Sequence, residues 1–270
     1  MDPTDIGAVE VEVDATIEAG ADLTIKLIKA TSLWDFGDLP DGYGTLLASN
    51  GARHRTTTGL RLGASVDAEG NGFPTADATG DNTNFAFGTT NDEDGVVRQP
   101  GVGGAGAGGN GGWTNGTVAS GNGGRLDLTI TGGSGVPQVF IDFGDGNGNL
   151  SGTLTPVTLR NSSGTALGTT FAAGTHQVYF DIPDLSFAVD GQPMAVRVRL
   201  SSAGGLGSTG PALDGEVEDY IYSFGPTAVS LQSFTPAASS TLPVIAFIGF
   251  LGLAIVSLGA FIVRRERSRL

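Results

Sequence analysis

Residues 193–222 read PMAVRVRLSSAGGLGSTGPALDGEVEDYIY, and the fold follows from how this stretch is read. Residues 193–201 place Met194, Val196, Val198 and Leu200 on one side of an extended chain and Arg197 and Arg199 on the other. Successive side chains of a strand point to opposite faces, so this is the signature of a strand. Residues 216–222 alternate likewise: Glu216, Glu218, Tyr220 and Tyr222 share one face, and Val217, Asp219 and Ile221 the other. Gly204, Gly205, Gly207, Gly210 and Pro211 lie between them, a turn-forming composition that lets the second strand return antiparallel beside the first. In that hairpin Arg197 and Arg199 are expected beside Glu216 and Glu218 on a solvated face, in pairs worth roughly 0.2 to 1 kcal/mol each. Asp219 then points to the apolar side, where a carboxylate needs backbone donors, a buried arginine or a cation.

The same alternation extends upstream. RLDLTIT (125–131) aligns Leu126, Leu128 and Ile130; PQVFIDF (137–143) aligns Val139, Ile141 and Phe143; HQVYFDI (176–182) aligns Val178, Phe180 and Ile182. Gly, Asn, Ser and Pro separate these runs, and no soluble helix is evident. The expectation is an all-β fold, an antiparallel β-sandwich of about seven or eight strands with long Gly/Asp-rich loops. Residues 34–87 are mostly turn sequence, with one short strand in LRLGASVDAEGNG (60–72) and an acidic turn, TNDEDGVV (90–97), before another. GVGGAGAGGNGGWTNGTVASGNGG (101–124) has 12 Gly in 24 residues and reads as a mobile loop or linker that Trp113 returns to the domain surface. VEVEVDATIEAGADLTIKLIKA (9–30) alternates enough for two short strands.

Charge excludes several partners. The chain of 270 residues carries 28 acidic and 14 basic residues, and Arg264, Arg265, Arg267 and Arg269 stand apart from the rest behind Val263. The remainder is strongly acidic and repels nucleic acid and anionic lipid. Absence of Cys removes disulfides, thiolate nucleophiles and Cys-based zinc sites. LPVIAFIGFLGLAIVSLGAFIV (242–263) is uncharged, and as a helix it would span about 33 Å, enough to cross a bilayer core. RRERSRL after it predicts a cytoplasmic tail, with the bulk of the chain outside the cell membrane. The N-terminus shows no basic start followed by an apolar stretch, so residues 1–31 read as a β stub, the end of a preceding module or a linker. Residues 225–241 form a stalk.

Enzyme motifs do not assemble. Asp35-Phe36-Gly37 lacks the companion kinase motifs, and the glycine tract lacks the Lys of a phosphate loop. His54 and His176, the two histidines, have no partner at zinc-ligand spacing. Calcium is the cofactor that an oxygen-only ligand set would serve. Candidate ligands are Asp142, Asp145, Asn147 and Asn149 in one turn and Asp92, Glu93 and Asp94 in another. A site built from several loops, including Asp35, Asp38 and Asp219, is an equal alternative, and a solvated hairpin without metal is the plainer reading of 142–149.

The ordered series WDFGDLPDGYGTLLASNGARH, LRLGASVDAEGNGFPTADATGD, TNDEDGV, WTNGTV, VFIDFGDGNGNLS and VRVRLSSAGGLGSTGPALDGEVEDYIYSF resembles the bacterial GEVED domain over residues 32–224. The signature itself is Gly215, Glu216, Val217, Glu218 and Asp219, with Tyr220, Arg197 and Arg199 beside it. The resemblance implies a β-rich, non-catalytic extracellular module in secreted or anchored surface proteins. The expected function is a structural or adhesive module held by 242–263, whose partners are surface proteins, neighbouring copies or glycans. A calcium-dependent carbohydrate- or protein-binding module, presenting a polar loop surface around Trp113, Tyr43 or His54, is the alternative. The third is a glycan hydrolase with Glu216 and Glu218 as its two acids, which lie at roughly the separation such chemistry needs.

Overall fold

The computed structural model describes residues 34–80, 91–101, 113–145, 149–183 and 191–224, together with the backbone of 6–12 and 27–32. The chain divides into two units, Met1–Thr227 and Ala228–Leu270. The second lies outside the described residues, as do the stalk, the expected membrane span and residues 102–112 of the glycine tract. Among the described residues no helix is long and apolar enough to cross a membrane.

Thirteen strands are present among the described residues: β1 (Ile6–Glu12), β2 (Leu27–Ser32), β3 (Trp34–Phe36), β4 (Arg53–Arg55), β5 (Arg61–Leu62), β6 (Val96–Gln99), β7 (Gly124–Thr131), β8 (Val136–Asp142), β9 (Thr155–Pro156), β10 (Gly174–Phe180), β11 (Pro193–Ser201), β12 (Pro211–Ala212) and β13 (Glu216–Ser223). The number exceeds the seven or eight expected because β3, β4, β5, β9 and β12 are two- or three-residue pairings inside loops, too short to show a period in sequence. β1 and β2 pair antiparallel with each other. One four-stranded sheet runs β10-β7-β5, with β6 also on β7. A second runs β13-β11-β8-β9, and both are antiparallel. β3, β4 and β12 make a small third sheet in which β12 pairs parallel to β4.

The alternation read from sequence is what joins the two larger sheets. Leu126, Leu128, Ile130, Val178 and Phe180 from one and Val139, Ile141, Met194, Val196, Val198 and Leu200 from the other meet in a single apolar cluster. Each of these side chains is at most 1 % exposed, so most of the transfer free energy available to them, about 1.5 to 3 kcal/mol each, is realised. A smaller cluster of Leu39, Tyr43, Ala78 and Ala195, with Ile221 packed against it, covers the opposite face of the second sheet. β11 is therefore buried on both sides, from Met194 through Ser201.

That second covering changes the reading of the hairpin. β11 and β13 pair antiparallel as expected, with Leu200 opposite Glu216, Arg199 opposite Val217, Val198 opposite Glu218 and Arg197 opposite Asp219. Directly opposed residues project to the same face, so Glu216 and Glu218 lie on the side of the main core and the arginines on the other. The expected Arg197/Arg199 to Glu216/Glu218 pairing across a solvated face does not form. Both arginines are wholly buried, beneath residues 39–54 and 207–214, and Arg197 meets Asp219 instead. Trp113 also departs from expectation. It is 2 % exposed, set edge-on to Phe180 and Tyr222 at 5.0 and 5.8 Å, a core residue in place of a surface tie.

Candidate functional site

Gly215 through Asp219 form a short sequence in which each residue has a separate physical task. Gly215 has φ +90°, and a Cβ there would stand 1.7 Å from the Leu200 carbonyl oxygen and 3.2 Å from His54 Nδ1. Only glycine combines that backbone with that approach. Val217 is buried, and its N–H donates to Asp35 Oδ2 at 2.7 Å, which satisfies one amide on the open edge of β13.

Glu216 and Glu218 reach from β13 to the neighbouring sheet. β5 and β6 lie end to end along one edge of β7, and the break between them exposes amides that no strand partner takes. Glu216 Oε2 accepts from Leu62 N–H. Glu218 Oε1 accepts from Gly95 N–H at 2.8 Å and Asp94 N–H at 3.1 Å, while Oε2 accepts from the Tyr220 hydroxyl at 2.9 Å. Both glutamates are 1 % exposed. Burial pushes Glu218 up to about 8, against the Gly95 and Tyr220 hydrogen bonds. Burial first, then the charges of Asp35, Glu218 and Asp92, holds Glu216 well above the usual carboxylate range.

Asp219 sits on the opposite face in a two-pronged pair with Arg197: Nε to Oδ1 at 2.8 Å and Nη2 to Oδ2 at 2.7 Å. Oδ2 also accepts from Leu39 N–H at 2.9 Å. The remaining Arg197 donors go to the carbonyls of Tyr43, Gly44 and Ser208 and to Thr45 Oγ1. Of the three partners that the sequence allows Asp219, the structure supplies two, the backbone donor and the buried arginine. Gly37 makes room for them, because a Cβ there would stand 2.3 Å from Asp219 Oδ2 and 3.1 Å from Arg197 Nη2.

Arg199 is held without a carboxylate. Its donors find His54 Nε2 at 3.0 Å and the carbonyls of Gly207, Thr209, Gly210 and Arg53. Because Nε–H donates to His54 Nε2, that nitrogen is the acceptor, and Nδ1–H donates to the Asp214 carbonyl at 2.8 Å. His54 is thus neutral, its pKa lowered by burial and then by the Arg199 charge. Arg199 is itself lowered to about 9, chiefly by burial and then by Arg197. Its hydrogen-bonded fork still favours the charged form, since a neutral guanidine would leave an acceptor unmatched.

The calcium candidates separate into different environments. Asp142 accepts from the Tyr43 hydroxyl at 2.6 Å and from the amides of Gly144 and Gly152. Its burial opposes ionisation, yet these donors lower its pKa. Asp145 accepts from the amide and side-chain nitrogen of Asn149, a local turn, and Asn147 lies outside the described residues. Asp38 Oδ2 accepts from Gly80 N–H and Asp219 from Arg197, so Asp35, Asp38 and Asp219 point to three separate partners. The second turn stands near the signature strand. Asp92 Oδ2 accepts from Asp67 N–H and Asp94 from Ala64 N–H and the Ser65 hydroxyl, while Glu93 is half-buried. Glu69, which the sequence reading did not single out, is 2 % exposed and accepts from Phe36 N–H. Among the described residues no three acidic, His or Cys side chains are gathered into a metal shell.

The two-sheet core and a terminal strand that closes it through Gly-Glu-Val-Glu-Asp bring the comparison with known families to bear. Residues 137–223 match the GEVED domain. The chain carries a GEVED domain. No curated protein and no solved structure matches the chain. The matched GEVED segment begins in β8 and includes β9 to β13, whereas the resemblance in sequence ran from 32. Outside the match, Leu39, Leu62 and Gly95 donate to the GEVED carboxylates, and β7 adds Leu126, Leu128 and Ile130 to the main core. Tyr43, His54 and Trp113, the expected rim of a ligand surface, are all buried. Neither Glu216 nor Glu218 presents surface to a substrate.

Proposed function

We propose that the chain is a non-catalytic structural or adhesive module of a bacterial-type cell surface, held by its apolar segment 242–263 with the bulk outside. The observation that carries this reading is the use of the GEVED carboxylates. Glu216, Glu218 and Asp219 take amides from three upstream segments, Leu62, Asp94/Gly95 and Leu39, and so tie residues 36–95 to the last strand of the domain. A two-sheet sandwich closed this way resists opening from its C-terminal end. That end precedes the stalk and the segment expected to enter the bilayer, so any pull on the anchor is delivered to β13. The buried acids, with no face turned to solvent, support a structural role over glycan hydrolysis, whose acids must touch the scissile bond.

Alkaline carbonate extraction and protease protection test the reading together. The intact chain is expected in the membrane pellet, with the acidic domain cut by protease added outside the cell and spared by protease confined to the cytoplasmic side. Release of the intact chain by carbonate, or removal of the domain from the cytoplasmic side, would overturn the anchored reading.

A further inference from the structure

Two large apolar side chains stand exposed among the described residues, Leu213 at 84 % and Val97 at 50 %. A lone apolar side chain at a surface needs no explanation, but these two sit beside charges of opposite sign.

Leu213 belongs to a basic face. In the small sheet of β3, β4 and β12, Asp35, His54 and Ala212 lie side by side and are buried, with Asp35 on the Val217 amide and His54 on Arg199. That face therefore rests on the second large sheet. The register sets Trp34 opposite Arg55, Phe36 opposite Arg53 and Pro211 beside Arg53, all on the outward face, which exposed Leu213 continues two residues after Pro211. Arg53 and Arg55 lie over the Trp34 ring, Cζ 5.3 and 4.9 Å from its centroid, so cations and not rings form the surface. Neither arginine has an ion pair among the described residues, whereas Arg125, Arg160 and Arg197 each have one. Only the Nε of each is enclosed; Arg53 Nη1 donates to the Gly51 carbonyl and Arg55 to no described acceptor. Arg199, itself held without a carboxylate, donates to the Arg53 carbonyl from beneath. Residues 42–66 hold three arginines and no acid, in a chain with twice as many acidic as basic residues.

Val97 lies on the other side of the sandwich. Its neighbour Val96 is in the main core, so Val97 points outward from the first large sheet, opposite Asp127. Exposed Asp94 and half-buried Glu93 end the turn just before β6. Asp94 accepts from the Ala64 amide and the Ser65 hydroxyl and has no ion pair among the described residues. The nearby cations are engaged: Arg125 with Asp127, and Arg61 with the carbonyls of Gly59 and Ala64.

We propose that copies of this chain associate head to tail, the Arg53–Arg55–Leu213 face of one against the Asp94–Val97 face of the next. Each face offers one apolar side chain and charge of one sign, so like faces repel and unlike faces match, which selects the heterologous contact over a two-fold one. Because the faces lie on opposite sides of the sandwich, each copy can use both, and the assembly extends as a row. The net charge of −14 opposes self-association at long range. At physiological salt, charges farther apart than about 8 Å are largely screened, so the pairs at the contact decide. The inference rests on the surface-module reading: copies held on one membrane meet at effective concentrations of about millimolar order, where a small contact suffices.

The test is sedimentation equilibrium of the full chain in detergent, over a concentration series reaching about 1 mM. The parent is expected to form dimers and longer species as concentration rises. Leu213→Glu sets a negative charge against Asp94, and Val97→Lys a positive one against Arg53 and Arg55; each variant alone is expected to stay monomeric. Mixed in equal amounts they are expected to form dimers and nothing longer, because the mixture keeps one intact basic face and one intact acidic face per pair. Arg53→Gln with Arg55→Gln is expected to weaken association by at least about tenfold. A parent that stays monomeric throughout overturns the proposal, as do oligomers that neither variant disturbs. Loss of association in only one of the two variants, or a mixture that does not dimerise, overturns it as well. Should either variant fail to fold by circular dichroism, Leu213→Ser or Val97→Ser takes its place, and an unchanged dissociation constant counts against the contact. Carbonate extraction of the same variants reports the anchor independently, so failure of this contact and failure of the anchored reading are told apart.

Discussion

Replacing Asp219 by Ala removes one half of a wholly buried ion pair, and the structure gives the size of the effect. Three donors lose their acceptor: Arg197 Nε, one N–H of Arg197 Nη2, and the Leu39 amide. All three end on the Asp219 carboxylate, and hydrogen bonds to a charged group contribute about 1.5 to 3 kcal/mol each, which sums to roughly 4.5 to 9 before relaxation. The carbonyls of Tyr43, Gly44 and Ser208 still hold Arg197, so the guanidinium keeps part of its solvation. A net loss of about 3 to 5 kcal/mol follows, as for other buried pairs broken on one side. Equilibrium unfolding in urea of the full chain in detergent measures it, with Asp219→Asn falling between parent and Ala because it keeps one acceptor oxygen. Pairing Asp219→Leu with Arg197→Met should cost less than the sum of the two singles, by a coupling of about 1 to 3 kcal/mol. A loss under about 1 kcal/mol for Asp219→Ala would refute the reasoning, since such values belong to solvated pairs.

Two further outcomes follow from the same geometry. Gly37→Ala should destabilise by about 1 to 3 kcal/mol, because its Cβ intrudes on the Arg197–Asp219 pair, whereas Gly42→Ala, where a Cβ meets nothing within 4 Å, should change the urea midpoint little. Stability should fall as pH rises. Glu218 is raised in the folded chain from its ordinary 4.5 to about 8, so the folded state binds more protons than the unfolded one between those values. Its contribution is complete below about pH 4.5 and lost as pH passes 8, at up to about 1.4 kcal/mol per pH unit for one group. Glu216 and Glu69 act in the same sense; a flat profile from pH 5 to 8 in urea unfolding would contradict these shifts.

Much of the main core was legible because its strands repeat with period two against a polar alternation: β7 alternates buried and half-buried along its whole length. The same rule misled at β11 and β13. Arg197 and Arg199 alternate with valines and so read as a solvated face, but residues 34–54, made of turns and three-residue strands, cover them without any periodic signal. With that face buried, Glu216 and Glu218 turn to the core side, and only the register across β11 reveals it. Asp219 was readable as an acid in need of a partner because its apolar neighbours Val217 and Ile221 share its face. Glu69 carried no such sign, since it lies in turn sequence and is placed by a single amide from Phe36.

The central claim is that the GEVED carboxylates clasp upstream segments to the last strand, and native-state amide exchange tests it most directly. The amides of Leu39, Leu62 and Gly95 each end on one of these carboxylates. The account predicts that they exchange with the free energy of global unfolding, together with Val196 and Val198 in the middle of β11. Exchange of the three at rates of open loops, while β11 stays protected, would contradict it.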